Sequence, residues 1–296
     1  MKSRIQGAIC LTLPAMLLAV LLATAAGCIT ADRAAPDADT ITVAVTIPPQ
    51  AEFAEAVGGD RVRVVVMVPP GASPHTYEPT PGQLAEVSRA ALYAKVGSGI
   101  DFERAWMEEI SGLNPGMQIV DCSEGVELIA GGEGEGADPH IWTSPRNAEV
   151  MVGNICAGLC SVDPEYCDYY RQNAAAYAEN LNALDREIGA AVAGMQNRQI
   201  LVYHPAWAYF ARDYNLTQIA IEEEGKEPTP QGIQHLIQEA KEKKITVIFA
   251  EPEFSTRSAE AIADEVGGEV VLVSPLERDY IENMQRVAAA FARSGS

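Results

Sequence analysis

Two α/β lobes, each with a mostly parallel sheet flanked by helices and joined by one long rigid backbone helix, is the fold class this sequence predicts. Three observations carry it. Short apolar runs alternate with helical periodicities at both ends of the chain, separated by brief, turn-rich links. Several runs, such as residues 61–68, are apolar nearly throughout, as in parallel strands buried on both faces. Between the two alternating regions, residues 166–195 hold no proline and no glycine before Gly189, so about thirty residues can form one helix of roughly 45 Å.

The first segment stands apart from the fold. Lys2 and Arg4 precede an apolar run over residues 8–26, and Ala25-Ala26-Gly27-Cys28 follows. This reads as a signal peptide over 1–28 with a lipobox-like end, making Cys28 the lipidated first residue of the processed chain. Ala25 stands where leucine is more usual. The alternative is an uncleaved anchor, since about nineteen apolar residues can span a bilayer. Both place the remainder outside the cytoplasm, anchored to the outer face of the cytoplasmic membrane or periplasmic. Residues 29–40, rich in Ala, Pro and Asp, read as a tether.

The N-terminal lobe is expected over 41–165. Ile41, Val43 and Val45 alternate as a strand does, Pro48-Pro49 break it, and 51–57 form a short helix stopped by Gly58-Gly59. "RVRVVVMVPPG" gives a second strand, 83–91 a helix, "ALYAKVGSGID" a strand and glycine turn, and 118–120 another short strand. From Ser144 the pattern turns helical, with one break at "SVDPEY". The backbone helix over 166–196 follows, with Leu181, Leu184 and Ile188 at three- and four-residue steps. In the C-terminal lobe, 197–296, strands "RQILVYH", "LTQIAIEE", "ITVIFAEPEF" and "GEVVLVSP" alternate with four helices. Ser255 or Thr256 suits the N-cap of the third helix, and Gly267-Gly268 its end.

The formal net charge of −20 becomes −22 once Lys2 and Arg4 are removed. Such a surface repels nucleic acid and anionic lipid and concentrates cations. Cys10 and Cys28 belong to the signal, leaving Cys122, Cys156, Cys160 and Cys167. No C-x2-C pair occurs among them, so structural thiols or a disulfide are favoured over a metal site, with three pairings open.

Three of the four histidines share a context. His75 follows "VVVMVPPGASP", His140 lies in "ADPHIWTSP", and His204 ends "ILVYHPAW"; each lies beside a proline and near an apolar stretch. Ligands of open α/β sheets bind at the carboxyl ends of strands. There, His75 and His140 from one lobe and His204 from the other would converge on a borderline-soft divalent cation. His235, within a helical pattern, reads as an ordinary surface or packing residue. Glu222-Glu223-Glu224 reads as a solvated loop. Glu251 and Glu253 follow a buried strand, where one can accept a hydrogen bond from a ligand histidine and fix its tautomer.

Together, "HTYEPTP", "DPHIW", "YHPAWAYFARDYNL", "EEGKEPTPQGI" and "VIFAEPEFS" resemble the metal-binding solute receptors of zinc- and manganese-type ABC importers. The resemblance runs from Thr42 to the last helix, with five motifs in register. It implies two α/β lobes, a rigid backbone helix and a metal in the cleft, held by His75, His140 and His204. Zinc-type members have histidine at the third position and manganese-type members glutamate, so His204 favours Zn2+ over Mn2+.

Two departures bear on the site. Where zinc receptors often carry a His-rich loop, this chain has "GGEGEGAD", whose only possible cation-collecting groups are Glu133, Glu135 and Asp138. Many members supply a fourth ligand as aspartate in the last strand; here that residue is Ser274, a poor zinc ligand. Water, or a nearby carboxylate such as Glu78, Glu277 or Asp279, is then expected at the fourth position. The expected function is capture of Zn2+ by a monomeric extracytoplasmic receptor and delivery to a membrane permease with its ATPase. The N-terminal anchor would supply a membrane-lipid contact. The alternatives are a Mn2+ receptor, a zinc hydrolase using three histidines and a water, and a surface adhesin or structural lipoprotein. No H-E-x-x-H helix is present and no general base is clearly placed, which disfavours the hydrolase.

Overall fold

The computed structural model describes residues 40–131, 136–222 and 226–295. The expected signal peptide, Cys28, the tether up to residue 39, Glu133, Glu135, Glu223 and Glu224 lie outside the described residues. Among those described, no helix is long and apolar enough to cross a membrane.

The first lobe is built from β1 (Ile41–Val45), α1 (Pro48–Gly58), β2 (Val62–Val66), α2 (Pro81–Val87), β3 (Leu92–Lys95), α3 (Asp101–Leu113) and β4 (Gln118–Asp121). Its four strands are parallel in the order β2-β1-β3-β4, with Val43 opposite both Val64 and Leu92. Val43, Ala44 and Val45 are fully buried, because α1 and the long helices cover one face while α3 packs on the other. Helix α2 starts earlier than the sequence periodicity suggests. Pro81 occupies its first turn and the Thr80 hydroxyl accepts from the Gln83 amide at 3.3 Å. Helix α3 covers a stretch to which the sequence reading assigns no element.

Ser144 caps α4 (Pro145–Val162) by accepting from the Asn147 amide at 3.2 Å. The expected break follows as a turn over Pro164–Tyr166, and α5 (Cys167–Val192) runs for 26 residues. A disulfide joins Cys160 to Cys167 across that turn, which resolves the three pairings left open; Cys122 and Cys156 are buried free thiols.

The second lobe repeats the first arrangement with β5 (Gln199–Val202), α6 (Ala208–Asp213), β6 (Thr217–Ala220), α7 (Pro230–Glu242), β7 (Val247–Ala250), α8 (Arg257–Val266), β8 (Glu269–Leu272) and α9 (Tyr280–Ser294). The parallel order is β6-β5-β7-β8. Gly267 ends α8 in the left-handed region at φ 67°. Of the two expected capping residues, Thr256 donates its hydroxyl to Glu260 Oε1 at 2.7 Å, while Ser255 Oγ accepts from the Arg257 amide at 3.5 Å.

One cluster of buried apolar side chains runs from Val43 and Leu92 through Leu159 and Leu181 to Val202 and Phe291. The lobes therefore share a core through α4, α5 and α9. Polar ties reinforce it: the Trp142 indole donates to Pro275 O at 2.7 Å, and the Tyr280 hydroxyl donates to Trp142 O at 2.8 Å. Glu52 in α1 accepts from the Tyr177 hydroxyl at 2.7 Å and from the Tyr280 amide. Such an interface permits small adjustments and opposes a wide hinge.

Candidate metal centre

His75 sits in the proline-rich turn between β2 and α2. Pro74 and the bonds from the amides of Thr76 and Tyr77 to Ser73 O, at 3.2 and 3.0 Å, close that turn. Gln83 fastens it to the sheet, donating to Met67 O at 2.7 Å while its oxygen accepts from the Tyr77 hydroxyl. His140 lies far downstream of β4, at the head of the short turn Ile141–Thr143 that leads into α4, where Asp138 Oδ1 accepts from its backbone amide at 2.9 Å. His204 lies two residues past β5, at the point where strand order reverses in the second sheet. Only this histidine sits directly at a strand end; the other two are carried by longer loops.

Their Nε2 atoms converge. His204 Nε2 is 3.1 Å from His140 Nε2 and 3.2 Å from His75 Nε2. Two nitrogens on one tetrahedral zinc, each at its ordinary bond length, would be separated by about 3.3 Å. Among the described residues, His75, His140 and His204 form the group whose ligand atoms lie close enough to hold one ion. His235 is exposed on α7, away from it.

Each ring is held by a carboxylate at its other nitrogen. His75 Nδ1 is 2.8 Å from Asp101 Oδ2, His140 Nδ1 is 3.0 Å from Asp138 Oδ1, and His204 Nδ1 is 3.1 Å from Glu222 Oε2. An ionised carboxylate only accepts, so each Nδ1 carries the proton and each Nε2 turns its lone pair inward. Burial is uneven: the side chains of His140 and His204 are 7 and 8% exposed, whereas that of His75 is 27% exposed. Burial depresses the His204 pKa below its ordinary value, opposed by the Glu222 hydrogen bond. Burial alone would raise Asp138, but its hydrogen bond to His140 and the nearby imidazole charge bring it below the usual carboxylate value.

The wall beside the imidazoles includes Trp142, Glu251, Glu253, Phe254 and Leu276. The Phe254 ring stacks on His204 at 5.0 Å between centroids. Glu251 is buried and accepts from the His204 backbone amide at 3.3 Å, so it fixes the main chain rather than the ring. Burial pushes its carboxyl up to about 8. Glu253 accepts from the Ser274 hydroxyl at 3.2 Å, and burial raises its pKa as well.

The residues considered for a fourth position are not part of the three-histidine group. The Ser274 hydroxyl is committed between Glu253 and the Leu276 amide, from which it accepts at 3.1 Å. Glu78, Glu277 and Asp279 are exposed, and Asp279 leads into α9. Sequence reasoning also misplaced the tautomer-fixing role. It falls to Asp101, Asp138 and Glu222 rather than to Glu251 or Glu253, and Glu222 is buried rather than solvated. The D-x-H spacing of Asp138 and His140 was a usable local signal. Asp101 stands 26 residues from His75 on α3 and had none.

Comparison with known proteins shows the family and the fold. The family described as ZnuA, the periplasmic component A of zinc-uptake complexes, matches residues 43–294. A solved structure of ZnuA is 44% identical, covers 87% of this chain and 100% of its own, and superposes with a TM-score of 0.85. A zinc-bound ZnuA deletion mutant is also 44% identical, with 87% and 99% of the two chains covered and a TM-score of 0.83. The high-affinity zinc uptake system protein ZnuA of Bacillus subtilis is 28% identical, covering 81% of this chain and 79% of its own.

Proposed function

The chain belongs to the family of zinc-uptake complex component A proteins, and from that premise we propose that it captures Zn2+ on His75, His140 and His204 for import. It is a substrate-binding receptor of an ABC importer rather than an enzyme, and its cargo is handed to the membrane permease and ATPase of that system. The convergence of three Nε2 atoms, each backed by a carboxylate on Nδ1, is the observation that carries the ligand assignment.

The chemistry follows from that set. Three neutral imidazoles suit tetrahedral Zn2+, while Mn2+ favours oxygen donors. The proton on each Nδ1 is already committed to a carboxylate, so the lone pairs need no reorientation when the ion arrives. Carboxylate support also raises imidazole basicity and hence its strength as a donor. Burial keeps His204 neutral at neutral pH. Water completes the coordination, since Ser274 is engaged elsewhere and Glu78, Glu277 and Asp279 face solvent. His75, the most exposed of the three and fixed by the half-exposed Asp101, is the ligand through which the ion is passed to the permease.

The receptor works outside the cytoplasm as a monomer, held to the membrane through Cys28. Equilibrium titration with a chromophoric chelator tests the assignment. One Zn2+ per chain is expected, bound far more tightly than Mn2+, with His140→Ala and His204→Ala each weakening affinity by at least about 100-fold. Affinity unchanged in His75→Ala, His140→Ala and His204→Ala alike would place the site elsewhere.

A further inference from the structure

The three imidazoles account for three of the four positions around a tetrahedral ion, which leaves open what the pocket does for the fourth. Glu253 lines the same pocket as the three histidines. Its two oxygens differ. Oε1 is pinned by the Ser274 hydroxyl at 3.2 Å, and that hydroxyl cannot turn away, because its own lone pair accepts from the Leu276 amide. Oε2 is buried and has no hydrogen-bond partner in the protein. A buried carboxylate oxygen without a partner is unfavourable, so a fold retains one where something binds to it.

The neighbouring acid is occupied differently. Glu251 accepts from the His204 amide at Oε2, and its Oε1 is likewise buried without a hydrogen-bond partner, but that side chain is almost wholly buried and the Trp207 indole acts on its carboxyl. Glu253 is the less buried of the two pocket carboxylates, held at one oxygen by Ser274 and unpartnered at the other. It is not itself one of the group that can reach the ion in common with the histidines.

Resting on the receptor reading above, we propose that Glu253 is a positioning residue whose Oε2 accepts a hydrogen bond from the water that completes the coordination of the captured ion. Ser274 acts through it by holding Oε1. The arrangement gives a physical use to a serine where an aspartate ligand would otherwise stand: the carboxylate sits one step back, and a water spans the distance. A water leaves more readily than a protein ligand, and a negative acceptor behind it disfavours replacement by an anion from solution.

Cobalt(II) substitution makes the fourth position visible, because the visible bands of Co2+ respond to its coordination number and ligands. Parent, Glu253→Gln, Glu253→Asp and Ser274→Ala chains are loaded with Co2+ and titrated with azide, with circular dichroism to confirm folding. Azide should bind Glu253→Gln about tenfold more tightly than the parent. Ser274→Ala should shift in the same direction by less, and Glu253→Asp should fall near the parent. Identical azide titrations in parent and Glu253→Gln would overturn the inference. So would loss of Co2+ binding in a folded Glu253→Gln chain, which would make Glu253 a direct ligand. Failure of the parent itself to bind Zn2+ or Co2+ would instead overturn the receptor reading.

Discussion

At the scale of residues, the carboxylates behind the imidazoles decide how well the site works, and their effects should be graded by burial. Glu222 holds the buried His204 and is itself buried, whereas Asp101 holds the more exposed His75 and is half-exposed. Glu222→Ala should weaken Zn2+ binding by about 10–100-fold, and Asp101→Ala by clearly less, as read by competition titration. Equal effects would mean that burial does not govern this support. Glu251 supplies a pH prediction. Its carboxyl is raised to about 8 in the folded protein, so the folded state binds the proton more tightly than the unfolded chain. The stability this contributes is full below about pH 4.5 and is gone once pH exceeds the raised value. Metal-free parent protein should therefore lose unfolding free energy between pH 5 and 8 relative to Glu251→Gln, on the order of a few kcal/mol. Denaturant titrations at the two pH values measure it, and parallel curves would contradict it. The three histidines were legible in sequence because each shares a proline-flanked motif. Glu222 was not, since its acidic neighbours in sequence suggest solvent and nothing local shows that one member of the run turns inward.

At the scale of elements, the strand and helix alternation was readable wherever apolar runs were short and bounded by Gly or Pro. Helix α3 escaped although Phe102, Trp106 and Ile110 lie four residues apart along one face. Acidic residues between them and the glycines just upstream obscure that stripe. The disulfide pairing was also beyond sequence, because it depends on the tight turn that brings the end of α4 to the start of α5. That bridge closes a short loop, and chain-entropy arguments assign it about 2 kcal/mol. It lies some sixteen residues along α4 from the end nearest His140, or roughly 24 Å. Reduction, or paired Cys160→Ser and Cys167→Ser substitution, should lower the thermal unfolding midpoint by several degrees while leaving Zn2+ affinity unchanged. A matched loss of affinity would show that the base of the helical hairpin is coupled to the site.

At the scale of the whole molecule, two sheets of identical strand order are joined by a core that they share. The proposed ion site lies where loops of both lobes meet, with His75 and His140 from one and His204 from the other. Binding there ties the lobes together without requiring a large rotation, since Trp142, Tyr280 and Glu52 already join them. The two-lobe plan was visible in the sequence from the repeated alternation on either side of a long helical stretch. The continuity of the core between the lobes was not, because apolar periodicity tells which face of a helix is buried and not which lobe covers it. The central claim is that one ion is held by imidazoles of both lobes and a water. X-ray absorption of the stoichiometric zinc complex tests it most directly. Three imidazole nitrogens at about 2.0–2.1 Å and one further light atom, with no sulfur, are expected, and one imidazole contribution should vanish in His204→Ala. A shell dominated by carboxylate oxygen, or a spectrum unchanged by His204→Ala, would contradict it.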